Sequence, residues 1–210
     1  PEPRIPKEGL SLIPPKSALW LDATGKSFGP LPLVTGFDTH RICKRIAQDR
    51  YGYSWQVMNW KIALKEIAVS GAESNPAFRD RKIIQLARDI FLGNHKLLEY
   101  LVDECEDVVI ADSLEELVDK MNHLNASSQT VGTGTVGLAN IRKSIERYDE
   151  QIDLGEGLHN DDQLRRIAQV RHWRGDRLRT CKFEKILEKN SMPLVAFREF
   201  IVSRKSMGGI

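Results

Sequence analysis

The chain has 210 residues, of which 41% are hydrophobic, and a formal net charge of +2. That apolar content is enough to bury a core, so disorder is not the default, and so small a charge implies no polyanion partner for the molecule as a whole. The sequence contains no apolar run near the ~18 residues of a membrane span and no signal-peptide layout, and it begins at Pro1, as if already trimmed. Cys43, Cys105 and Cys181 lie far apart with no CxxC pair, which points to buried free thiols in a reducing cytoplasm. His95, His123, His159 and His172 show no metal-ligand spacing, so no metal is expected.

Residues 1–16 are punctuated by Pro3, Pro6, Pro14 and Pro15 and read as an extended arm, because proline lacks the amide donor that helices and central strands need. Ser17 to Asp22 is an apolar, strand-like run. Ala23 to Lys26 forms a turn, with Gly25 supplying the positive φ, and Ser27-Phe28 returns. After Gly29-Pro30 and Pro32, either Asp38 or Thr39 can cap a helix carrying Ile42, Cys43, Ile46 and Ala47 on one face, ending near Tyr51-Gly52.

Tyr53 to Met58 reads as a strand, and Trp60 to Val69 as a helix ended by Ser70-Gly71, with a loop around Asn75-Pro76. From Arg79 two helices follow, broken at Gly93-Asn94, to give an αα unit. Val108 to Ile110 is a short strand, and Ser113 to Glu116 matches a capping box. A polar loop from Asn125 to Gly134 precedes a longer helix that points Val136, Ile141, Ile145, Tyr148 and Ile152 inward, and Asp153 to Asn160 is another loop. Arg165 to Lys185 is basic and resists assignment, whereas Pro193 to Val202 reads as a strand buried on both faces. The fold class is therefore α+β: a small mixed or antiparallel sheet surrounded by many helices.

The order of these pieces resembles the capping domain of the fumarate reductase and succinate dehydrogenase flavoprotein superfamily, in its bacterial branch of FAD-binding dehydrogenases related to 3-ketosteroid dehydrogenases. Four stretches carry the likeness: Ser17 to Lys26, Leu33 to Thr39, Lys65 to Pro76 and Met207 to Ile210. Between them, Ala111 to Leu114 and Arg147-Tyr148-Asp149 resemble two further helices of the family. Each motif alone is weak; their common order is what counts.

The resemblance implies an excised substrate-side domain over residues 17–205 and a junction at 206–210 that returns the chain to a missing FAD domain. FAD would be held mainly by that domain, because this sequence lacks a strand followed by GxGxxG. The full gene would then continue on both sides, with GxGxxG upstream and an acidic-containing strand after Ile210. The complete protein would move a hydride between a substrate C–C bond and flavin, with a ketosteroid or another enoyl compound as the small-molecule substrate, and the fragment alone would be inert.

Where the superfamily carries a substrate-binding His before its paired glycines, this chain has Lys205, and no Arg stands among Phe37 to His40 where fumarate reducers hold their proton donor. That favours the dehydrogenase branch. The resemblance makes Asp38, His40 and Lys205 the catalytic candidates; Thr39, Arg204, Lys205 and Ser206 the substrate-binding ones; and Gly208 and Gly209 the residues that approach the cofactor. Asp38 is equally a helix cap, His40 and Lys205 equally surface residues, and the glycines equally a hinge.

Trp20, Trp55, Trp60 and Trp173 could line an apolar pocket or pack a core. A second reading, a non-enzymatic module that meets nucleic acid or another polyanion, rests on the basic 165–185 segment around Trp173. Acidic neighbours dilute that field, and a nucleic-acid partner is not expected.

Overall fold

The structure, a computed structural model, describes residues 12–28, 38–70, 75–127 and 134–201. Its centre is a four-stranded antiparallel sheet in the order β2-β3-β6-β5, formed by β2 (Leu19–Asp22), β3 (Tyr53–Asn59), β5 (Val108–Ala111) and β6 (Leu194–Phe200). A separate two-stranded ladder pairs β1 (Leu12–Ile13) with β4 (Ala68–Val69). The α+β expectation holds, and of the two sheet types expected the antiparallel one is found.

The inner strands β3 and β6 are the longest and pair over seven residues, from Tyr53 opposite Phe200 to Asn59 opposite Leu194. Both are rich in the Val, Trp, Tyr, Phe and Met that suit a buried pleat. Side chains alternate across a strand, so the register assigns every sheet residue to one of two faces. One face carries Leu19, Leu21, Tyr53, Trp55, Val57, Ala196 and Arg198. The opposite face carries Trp20, Ser54, Gln56, Met58, Phe197 and Glu199.

The first face supports the main core. Here α6 (Leu114–Ser127) and α7 (Leu138–Asp153) bury Leu117, Met121, Ile141 and Ile145. The Arg198 guanidinium donates to Asp107 Oδ1 at 2.8 Å and to the Leu124 carbonyl at 3.2 Å, which ties β6 to α6. The second face receives α1 (Thr39–Gln48), whose Ile42 and Ile46 pack on Trp20 and Phe28.

Local signals act as their chemistry requires. The β2 turn has Gly25 at φ +84°, and its Asp22 side chain accepts the Thr24 and Lys26 amides. Ser113 Oγ accepts the Glu116 amide, while the Glu116 carboxylate reaches back to the Asp112 amide. Gly93, at φ +92°, breaks α4 (Ile83–Leu92) from α5 (His95–Glu104); a Cβ there would stand 2.4 Å from Leu64 Cγ.

Several expectations need correction. The helix α2 (Trp60–Glu66) stops before Val69 because Ile67 turns to extended backbone and Ala68–Val69 joins β1. The far end of the expected arm is thus a paired strand. Asn75-Pro76 does not sit in a loop: proline opens α3 (Pro76–Arg79), a position where its missing N–H costs nothing. Asn125 lies inside α6, and Val136 precedes α7, its backbone clasped by the Asn122 side chain at 2.8 and 3.1 Å. Cys43 and Ala47, expected inward, are exposed, because α1 turns only its Ile42–Ile46 line to the sheet. The basic segment resolves into α8 (Asp162–Val170) and α9 (Arg174–Arg179).

Candidate functional site

Two carboxylates, Glu66 buried and Glu199 partly buried, stand out in the polar interior. Glu66, the last residue of α2, is fully engaged: Oε2 accepts the Lys16 and Ser17 amides at 2.7 and 3.0 Å, and Oε1 accepts Ser17 Oγ and the Cys181 amide, each at 2.6 Å. It fastens the chain entering β2 to α2 and to the segment after α9. Gln163 reinforces the entry by donating to the Lys16 and Ala18 carbonyls, both at 2.8 Å. Burial pushes the neighbouring Cys181 thiol and Tyr148 phenol strongly upward, with the Glu66 charge adding to both, so neither ionises readily.

Glu199 is the opposite case. It lies on the second sheet face near the end of β6, with Oε1 buried and without a hydrogen-bond partner. Desolvation lifts its carboxyl to about 7, and the Gln56 amide beside it offsets only part of that. Both Gln56 side-chain atoms are also buried and unpartnered, the amide standing close to Glu199 but short of a formed hydrogen bond. Next in the row, Ser54 Oγ accepts Trp20 Nε1 at 2.8 Å. The register makes this a continuous strip across three strands: Trp20 opposite Gln56, and Ser54 opposite Glu199.

Gln56, Ser54 and Trp20 are buried, so the strip reaches the surface at the partly exposed Glu199, where a carboxyl titrating near neutrality beside an unpartnered amide can orient one polar group of a small molecule. FAD, the cofactor that the resemblance implies, does not fit the described residues. Three open polar atoms cannot satisfy a dinucleotide, and no glycine-rich helix start is present to hold its pyrophosphate.

The structure places the residues singled out in the sequence as follows. Asp38 caps α1, accepting the Arg41 amide at 3.4 Å and pairing with the Arg41 guanidinium at 3.4 Å. His40 is exposed on the first turn of α1. The helix bearing both packs on the Trp20 face. The side chain of Thr39, and all of Arg204, Lys205, Ser206, Gly208 and Gly209, lie outside the described residues. Trp55 is core, Trp60 is half-buried, and Trp173 is exposed.

Glu199, Gln56 and Ser54 escaped the sequence reading. The available signal was a charged Arg198-Glu199 pair inside a strand read as buried on both faces, together with Ser54 and Gln56 two apart on another strand. Among the described residues no cluster of metal-ligating side chains occurs, and no helix is long and apolar enough to cross a membrane.

No protein-family model matches the chain. It is 35% identical over its whole length to KsdD-like steroid dehydrogenases of two Mycobacterium tuberculosis strains, and 30% identical to one of Mycolicibacterium smegmatis. It spans only 36% of the length of the first two relatives and 37% of the third. The chain is thus homologous, end to end, to about a third of a dehydrogenase, as the ordered motifs implied.

Proposed function

We propose that this chain is the substrate-side capping domain of an FAD-dependent dehydrogenase that acts on a C–C bond of a ketosteroid or other enoyl compound, with the missing part of the same polypeptide holding the flavin. The flavin, when bound there, supplies the hydride acceptor. This chain supplies recognition. The observation that carries the reading is the Glu199–Gln56 strip on the face where α1 packs, in a chain similar throughout to KsdD-like steroid dehydrogenases. Neutral Glu199, at the partly exposed end of the strip, can donate to a substrate carbonyl, with the buried Gln56 amide, Trp20 and Met58 behind it.

Asp38, His40 and Lys205 remain the proton-handling candidates, Thr39, Arg204 and Ser206 the further substrate contacts, and Gly208 with Gly209 the approach to flavin. The test is steady-state dehydrogenation of a 3-ketosteroid by the full-length protein with an artificial electron acceptor. Gln56→Leu with Glu199→Leu should raise KM by roughly tenfold or more, as expected when a hydrogen-bonded anchor is lost. Unchanged KM and kcat, or a full-length protein that purifies without flavin, would remove the reading. The polyanion-module alternative gains no support from Arg165, Lys182 and Lys185, which are paired with Asp162, Glu156 and Asp153.

A further inference from the structure

The αα unit carries an inverted helix. No residue of α4 is buried, and the side it turns outward is its apolar one: Ile83, Ile84, Phe91 and Leu92 are 77%, 88%, 68% and 64% exposed. At 100° per residue these positions share one flank with Ala87 and Arg88, while Gln85, Leu86, Asp89 and Ile90 form the half-covered inner side. Phe78, just upstream, is 65% exposed. The neighbour of α4 is α9, which also buries nothing and brings the exposed Trp173 and Leu178 to the same part of the molecule.

The charges around this apolar surface are one-sided. Of the acids nearby, Asp80 pairs with Arg79 and Lys82 and Asp176 with Lys16, while Asp89 lies on the half-covered inner side of α4. Arg81, Arg88, Arg174, Arg177 and Arg179 are exposed and make no ion pair among the described residues. A protein interface there would have to supply matching acids to avoid stranding these guanidinium groups. Exposed Phe, Ile, Leu and Trp flanked by free arginines suit a different surface, where apolar side chains enter the acyl boundary while long cationic ones reach back to phosphates.

We propose that the outward face of α4, together with α9, docks this protein on an anionic phospholipid bilayer as a peripheral, non-spanning contact. The proposal stands independently of the dehydrogenase reading. It also gives the unpaired half of the basic segment a role that nucleic acid would not, since phosphates alone leave Ile84 and Phe91 unexplained.

The test is sedimentation of the full-length protein with phosphatidylcholine vesicles, with and without phosphatidylglycerol, at low and high salt. Binding should require phosphatidylglycerol, weaken with salt, and fall roughly tenfold or more in Ile84→Glu/Phe91→Glu, whose exposed positions leave the fold intact by circular dichroism. Arg88→Glu/Arg177→Glu should lose the preference for phosphatidylglycerol. Failure of the parent protein to bind any vesicle overturns the proposal. So does binding to a DNA duplex that survives Ile84→Glu/Phe91→Glu and competes vesicles away. Maleimide labelling of Ile84→Cys in a Cys43→Ser background decides what covers the face without lipid. Ready labelling supports the proposal, whereas protection would mean that the rest of the polypeptide or a second copy occupies it.

Discussion

Glu66 and Glu199 both carry buried carboxylate oxygens, yet Glu66 receives four donors and Glu199 leaves its buried oxygen with none. The contrast separates a structural use of charge from a functional one. A carboxylate whose lone pairs are filled by backbone amides is a fastener, and its environment gives it nothing further to bind. One that is desolvated and open raises its own proton affinity and waits for a partner. Fold stability should therefore depend on the first, and pH and ligand response on the second.

The largest effect expected follows from emptying the filled site. Glu66→Ala leaves the Lys16, Ser17 and Cys181 amides and Ser17 Oγ without an acceptor in the interior, which should cost about 3–5 kcal/mol. Urea unfolding of the full-length protein, followed by tryptophan fluorescence, should show this domain melting far earlier. A loss within about 1 kcal/mol would mean that water replaces the carboxylate and that the fastener reading is wrong.

Glu199 should behave in the reverse sense. Its folded pKa, near 7, lies above the ordinary 4.5, so between those values the folded state holds more protons than the unfolded one. Stability then falls as pH rises through that window, by on the order of 2–3 kcal/mol in total. Glu199→Gln should flatten this dependence and stabilise the protein by about that amount at pH 8, where the wild-type carboxylate is ionised without a partner. Thermal unfolding across pH 4 to 8 checks it. A pH profile shared by the variant would place the titration elsewhere.

Much of the fold was legible because its signals are local. Asp38, Ser113 and Gly25 act within four residues of themselves, and the spacing of Ile141, Ile145 and Tyr148 alone marks the inner side of α7. The end of α2 was not legible, because β4 exists only through pairing with Leu12–Ile13, more than fifty residues earlier. Periodicity also identified α4 as a helix without telling which side faces inward, and the structure turns the apolar side out. The candidate site was hidden for a related reason. Gln56 and Glu199 become neighbours only through the register of two strands 143 positions apart at Gln56 and Glu199. Glu66, likewise, takes its donors from Lys16, Ser17 and Cys181, none of them near it in sequence.

Two serine deletions sharpen the comparison at smaller scale. Ser54→Ala removes the acceptor that Trp20 Nε1 uses on the second sheet face and leaves the buried indole N–H without that bond, at a cost of about 1–2 kcal/mol.

Ser17→Ala should cost less, about 1 kcal/mol, although Ser17 Oγ makes as short a hydrogen bond as any at Glu66. The carboxylate there keeps the Lys16, Ser17 and Cys181 amides, so deleting the hydroxyl orphans no atom, whereas deleting Ser54 takes the acceptor from one. The ranking of the two variants in unfolding midpoint therefore tests whether redundancy of partners, and not the length of a single bond, distinguishes the filled site from the open one. Equal losses would mean that the two carboxylate neighbourhoods share the same polar reserve and that Glu199 is no more available than Glu66.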